Sequence, residues 1–116
     1  MAVNFYIKQD DLLPEIQATL KDADDTVIDL SGATVKFIMT DKLTNEKKID
    51  ANAVVVNDTG GVVKYVWTGT DTDTAGNYKG EFELKFADGR LMTVPNKVYI
   101  NIKVVADLGG FDGTPA

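Results

Sequence analysis

The chain has no cysteine and no histidine. Without cysteine there is no disulfide and no thiol nucleophile. Folding in a reducing cytosol is compatible with that absence. Without histidine the commonest general base and the commonest transition-metal ligand are both missing. Ser-His-Asp, Cys-His and histidine-based zinc sites therefore cannot be built. Long apolar runs are missing too, and no stretch approaches the roughly 20 residues that span a bilayer. Met1 to Lys8 lacks a basic region followed by an apolar run, so no signal peptide is expected. Cations are in the minority: 12 basic side chains stand against 18 acidic ones, for a net charge of −6. Such a balance repels nucleic-acid phosphate unless the cations cluster. The nearest cluster, Lys42, Lys47 and Lys48, is read as one loop and is interrupted by Glu46. Neither a nucleic-acid nor a membrane partner is expected, and no cofactor or metal.

What the 116 residues do contain is an ordinary apolar share of 44%, enough for one domain with its own core. The dominant period is two. Tyr78, Gly80, Phe82, Leu84 and Phe86 alternate with Lys79, Glu81, Glu83 and Lys85, the pattern of a half-buried antiparallel strand with a charged outer face. Ala87-Asp88-Gly89-Arg90 supplies a turn, and Leu91 to Val94 starts a return strand. The same alternation places Phe5 and Ile7 on a first strand. It sets Ile16, Ala18 and Leu20 on one face of a second, and Val35, Phe37 and Met39 on one face of a third. Val63, Tyr65 and Trp67 line another strand, and Val98, Ile100, Ile102 and Val104 the closing one. Pro14 lies near a strand start, where a missing N–H is tolerated.

Turn chemistry separates the runs at Asp22 to Asp25, Ser31-Gly32, Thr44-Asn45, Thr59-Gly60-Gly61 and Ala75-Gly76-Asn77. Turns recurring about every 8–12 residues predict a sandwich or a barrel. Trp67, Phe82, Leu84, Phe37 and Ile102 are the expected core. The first strand, Asn4 to Lys8, and the closing strand, Val98 to Val105, are the expected sheet edges. The domain is expected to cover residues 1–106. Residues 107–116, with three glycines, a proline and one aromatic residue, Phe111, read as a flexible tail. Phe111 is the candidate interaction residue there, able to anchor on a neighbouring subunit, and a homo-oligomer is a candidate assembly.

Candidate chemistry is sparse. Asp71-Thr72-Asp73 is similar to the opening of a calcium loop, but the twelfth position holds Phe82 where a bidentate Glu is required. Glu81 and Glu83 share a face as a glycosidase pair would, yet they alternate with Lys79 and Lys85 on a solvated face. Asn57-Asp58-Thr59 fits a glycosylation sequon, a pattern common by chance. Gly60-Gly61 lacks the Gly-Lys-Ser/Thr of a phosphate loop. Asp73-Thr74-Ala75-Gly76-Asn77-Tyr78 is more specific. A tyrosine entering a strongly alternating strand just after a turn looks like the tyrosine corner of Greek-key sandwiches, its hydroxyl reaching back to upstream backbone. Asp73 would brace that loop. Trp67, Asp73, Gly76 and Tyr78 are thus candidate structural residues, and no catalytic, cofactor or metal residue is nominated.

Taken in order, several segments carry a family resemblance. They are Ile7-Lys8-Gln9-Asp10-Asp11, Leu20-Lys21-Asp22-Ala23-Asp24, Asp29-Leu30-Ser31-Gly32-Ala33-Thr34-Val35 and Tyr65-Val66-Trp67. Asp71 to Tyr78, Glu81-Phe82-Glu83, Phe86-Ala87-Asp88-Gly89-Arg90 and Val94-Pro95-Asn96 complete the set. Over about residues 3–105 the chain resembles the immunoglobulin-like N-terminal domain of phage baseplate upper proteins. The resemblance implies an all-β, immunoglobulin-like antiparallel β-sandwich of two sheets and seven to nine strands. It also implies a non-enzymatic role in a tailed-phage virion, assembled in the bacterial host cytoplasm and attached to other virion proteins in the tail or baseplate. Family members usually continue into a helical stalk and a receptor-binding region, whereas this sequence stops after the domain and a short tail, which leaves open a small stand-alone tail component or an excised domain. A head decoration or fibre-associated protein is therefore an alternative. So is a carbohydrate- or cell-surface-binding sandwich, whose mark would be an exposed aromatic pair among Tyr6, Tyr99 and Phe111.

Overall fold

The computed structural model describes residues 3–95 and 99–108, with Val3 described by its backbone alone. Among them are nine strands and no helix: β1 (Val3–Lys8), β2 (Ile16–Thr19), β3 (Thr34–Asp41), β4 (Lys47–Asn52), β5 (Val54–Asn57), β6 (Val62–Tyr65), β7 (Gly76–Lys85), β8 (Leu91–Val94) and β9 (Ile100–Val105). They form a β-sandwich of two sheets. The larger runs β1-β9-β7-β3-β4, with β8 also pairing β7; the smaller runs β2-β6-β5. The ten residues of β7 serve two partners along one side. Gly76 to Gly80 pair with β9, and Phe82 to Lys85 pair with β8.

Alternation places the core as expected. Phe37, Trp67, Phe82, Leu84 and Ile102 are all buried between the sheets. Phe37 is the hub: its ring lies 4.8 Å from Tyr65, 5.2 Å from Phe82 and 5.9 Å from Trp67, the last edge-on. Gly80 makes room at this point. A Cβ there would lie 2.6 Å from Cδ1 of Ile102 and 3.3 Å from the Phe37 ring, so the alternating pattern skips a side chain where three strands crowd. Ile38 departs from the pattern. It lies on the outer face, opposite Asp50 and Glu81, yet is 7% exposed.

Two expectations are corrected. The closing strand is no edge: β9 lies between β7 and β1, and Val98 is outside the described residues. β1 covers β9 in parallel, pairing Val3 with Ile100 through Lys8 with Val105, so the larger sheet is mixed. Among the described residues the edges are β1, β4 and β8 in one sheet and β2 and β5 in the other. The lysine loop is also revised, because Lys47 and Lys48 lie on β4 while Lys42 is in the preceding turn. β4 and β5 escape a reading based on alternation for opposite reasons. In β4 a single residue, Ile49, is buried, because an edge strand can be polar on both faces. In β5 three successive valines show no period, and a bulge between Val55 and Asn57 breaks the register.

Candidate attachment surfaces

The candidate structural residues fall into two groups. Asp73, Gly76 and Tyr78 come together at the start of β7. The Tyr78 hydroxyl donates to the carbonyl of Thr74 at 2.7 Å. Tyr78 is buried, which raises the pKa of its phenol. Asp73 takes an ion pair from Lys48 on β4 at 2.5 Å and a hydrogen bond from the Thr74 hydroxyl; both hold its carboxyl below the usual range. At Gly76 a Cβ would make ordinary contact with the Tyr78 ring, 3.7 Å away, so space alone does not demand glycine there. Trp67 sits apart in the aromatic core, its indole N–H donating to the carbonyl of Pro14 at 3.0 Å.

Spacing gave no hint of how Asp71 and Thr72 are used. The Asp71 carboxylate accepts the Tyr65 hydroxyl at 2.6 Å and the Thr68 amide at 2.9 Å. Desolvation, then that carboxylate, push the Tyr65 phenol pKa upward. Thr72 is fully buried, and its hydroxyl donates to the carbonyl of Asp11. Gln9 reaches the carbonyl of Asp73 through its side-chain amide. The segment that looked like half a calcium loop thus ties the end of β1 to the start of β7. Its carboxylates are turned to tyrosine and lysine, and no group of metal-ligating side chains forms among the described residues.

Two outer faces remain. On the three-stranded sheet Val54, Val56 and Val66 are exposed, at 46%, 51% and 38%. Lys64, opposite Val54, lies between Val62 and Val66 along the outward row, and Val27 is beside Gly61 at the start of β6. Lys64 and Glu15 form the ion pair on this face. On the six-stranded sheet the register aligns Asn4, Asn101 and Lys79 in one row and Tyr6, Lys103 and Asn77 in the next. Tyr6 is 62% exposed. Tyr99 enters the same sheet side, but the Lys42 and Lys79 ammonium groups lie over its ring at 5.1 and 5.9 Å. Phe111 lies outside the described residues.

A pinned tyrosine, a central tryptophan and two facing sheets define an immunoglobulin-like sandwich, a scaffold whose function resides in the surfaces it displays. The family model of the BppU N-terminal domain matches residues 3–108. The chain belongs to that family of baseplate upper protein N-terminal domains, and is a phage baseplate-associated structural protein. No curated protein matches it. Among solved structures it is similar to "The crystal structure of CopC from Methylosinus trichosporium OB3b". The TM-score is 0.54 at 9% identity, covering 95% of this chain and 91% of that one, a likeness of fold alone.

Proposed function

We propose that this domain is a non-enzymatic attachment module that docks on another virion protein of the tail or baseplate through the outer face of the β2-β6-β5 sheet. The observation that carries the reading is the valine surface of Val54, Val56 and Val66. Exposed β-branched side chains grouped on one sheet face around the Lys64–Glu15 ion pair cost solubility, and apolar patches of this sort mark protein–protein contacts. The edge of β5 adds backbone groups to the same surface and carries no lysine or proline to blunt it. Host-cytoplasm assembly and a symmetric ring of copies fit an attachment role in a repetitive particle. A net charge of −6 argues against nucleic acid as the partner.

Labelled electron microscopy of particles carrying the protein tests the location, with label expected at the tail tip. Label on the head would favour a decoration role. Val54→Lys combined with Val66→Lys tests the surface, because both positions are solvent-exposed. Loss of incorporation with an unchanged unfolding midpoint is expected; normal incorporation would overturn the proposed surface.

A further inference from the structure

The opposite side of the sandwich carries a different chemistry. Rows Asn4–Asn101–Lys79 and Tyr6–Lys103–Asn77 project from β1, β9 and β7. Three strands span about 10 Å and two residues along a strand about 7 Å, so the six side chains frame a patch the size of one or two sugar rings. A shallow depression of about 160 Å³ lies among Asn4, Tyr6, Asn77, Asn101 and Lys103, and Lys42 also lines it. The Lys42 ammonium donates to the Asn101 side-chain carbonyl, which fixes that amide.

Three features converge. Tyr6 offers an open ring face, whereas Tyr99 is capped by two ammonium groups. An amphipathic ring of this kind suits the mixed apolar and polar faces of a saccharide. Asn4, Asn77 and Asn101 supply side-chain donors and acceptors of the sort that pair with hydroxyls. The third feature is charge. Lys42, Lys79 and Lys103 join no ion pair among the described residues, although acidic groups outnumber basic ones in the chain. Glu81, the next outward residue on β7, is the carboxylate bordering the patch. Cations held apart from abundant acids focus a local positive potential on this face.

We infer that the outer face of β1, β9 and β7 binds an anionic saccharide, with Tyr6 stacking on a sugar ring, the asparagines pairing with hydroxyls and Lys103 facing a carboxylate or phosphate substituent. This site lies on the side of the sandwich away from the valine surface, so attachment and saccharide binding occupy separate faces.

Amide chemical shifts of the isotope-labelled full chain test it, with trigalacturonate, a hexose phosphate, neutral maltotriose, inorganic phosphate and a polyglutamate peptide as probes. One or both anionic saccharides should shift Asn4, Tyr6, Asn77, Asn101 and Lys103 with a Kd of about 1 mM. Maltotriose, inorganic phosphate and polyglutamate should bind at least about tenfold more weakly. Tyr6→Ala should weaken the saccharide about tenfold without changing the response to inorganic phosphate, and Lys103→Gln should weaken both. Both positions are exposed, so the circular dichroism spectrum should not change. The inference fails if neither anionic saccharide shifts these amides, or if any of the other three probes binds as tightly. It also fails if Tyr6→Ala leaves saccharide binding intact.

Discussion

The Tyr78 hydroxyl donates to the carbonyl of Thr74, four residues back along the chain, across the turn that delivers the longest strand to the sheet. The bond pairs a buried phenol with a loop carbonyl and holds the corner against the Lys48–Asp73 ion pair. Removing the hydroxyl should therefore loosen the corner without disturbing the packing of the ring. We expect Tyr78→Phe to destabilise by about 1 kcal/mol, the net worth of one hydrogen bond. Chemical denaturation checks this, and identical midpoints for variant and parent would remove the corner's structural role.

Trp67 is 1% exposed and touches Phe5, Phe37 and Tyr65. Trp67→Ala should cost roughly 3–5 kcal/mol, because the cavity cannot collapse around rings already packed on each other. It also strands the Pro14 carbonyl. A loss under about 1 kcal/mol would show that the indole contributes little to the core.

Gly80→Ala should destabilise although alanine suits a strand better than glycine. The new Cβ meets Ile102 and the Phe37 ring, and forcing the core apart costs roughly 1–3 kcal/mol. Pairing the change with Ile102→Val, which removes the Cδ1 atom in the way, should recover part of the loss. A neutral Gly80→Ala would contradict the crowding.

Acid should cost stability at the paired aspartates. The carboxyls of Asp73 and Asp50 are held low by Lys48 and Lys36 respectively. A depressed carboxylate contributes stability above its unfolded pKa of about 4 and loses it as pH falls through the lower folded value. Stability should thus decline below about pH 4, and less steeply at high salt. Lys48→Met should flatten the decline. If its pH profile overlays that of the parent, the Asp73 pairing is not linked to folding.

At the alkaline end the sign reverses. The Tyr65 and Tyr78 phenols titrate high because burial disfavours their charged forms. The stability they confer is present below the unfolded tyrosine pKa of about 10 and is lost as pH rises toward the folded values. Ultraviolet titration of the folded chain should show a late phenolic component that Tyr65→Phe diminishes. A single ordinary transition would refute it.

The core, the sandwich and the turn before Tyr78 were legible in the sequence because strand alternation and turn residues are local and repeat every few positions. Phe37, Phe82 and Ile102 announce their face by their neighbours. Edge strands carry weaker signals. The lysines of β4 hid a strand with one buried residue, and the valines of β5 hid a bulged one.

Strand order was decided only by the tertiary structure. Nothing local to Val3–Lys8 says that it will lie parallel to Ile100–Val105 and convert the presumed edge into an interior strand. That pairing joins residues nearly a chain length apart, and its free energy comes from long-range backbone hydrogen bonds and the burial of Ile7 beside the core. The same pairing sets Tyr6 beside Lys103 and Asn4 beside Asn101. The sequence determined which side chains face outward; only the docking of β1 on β9 decided which of them became neighbours.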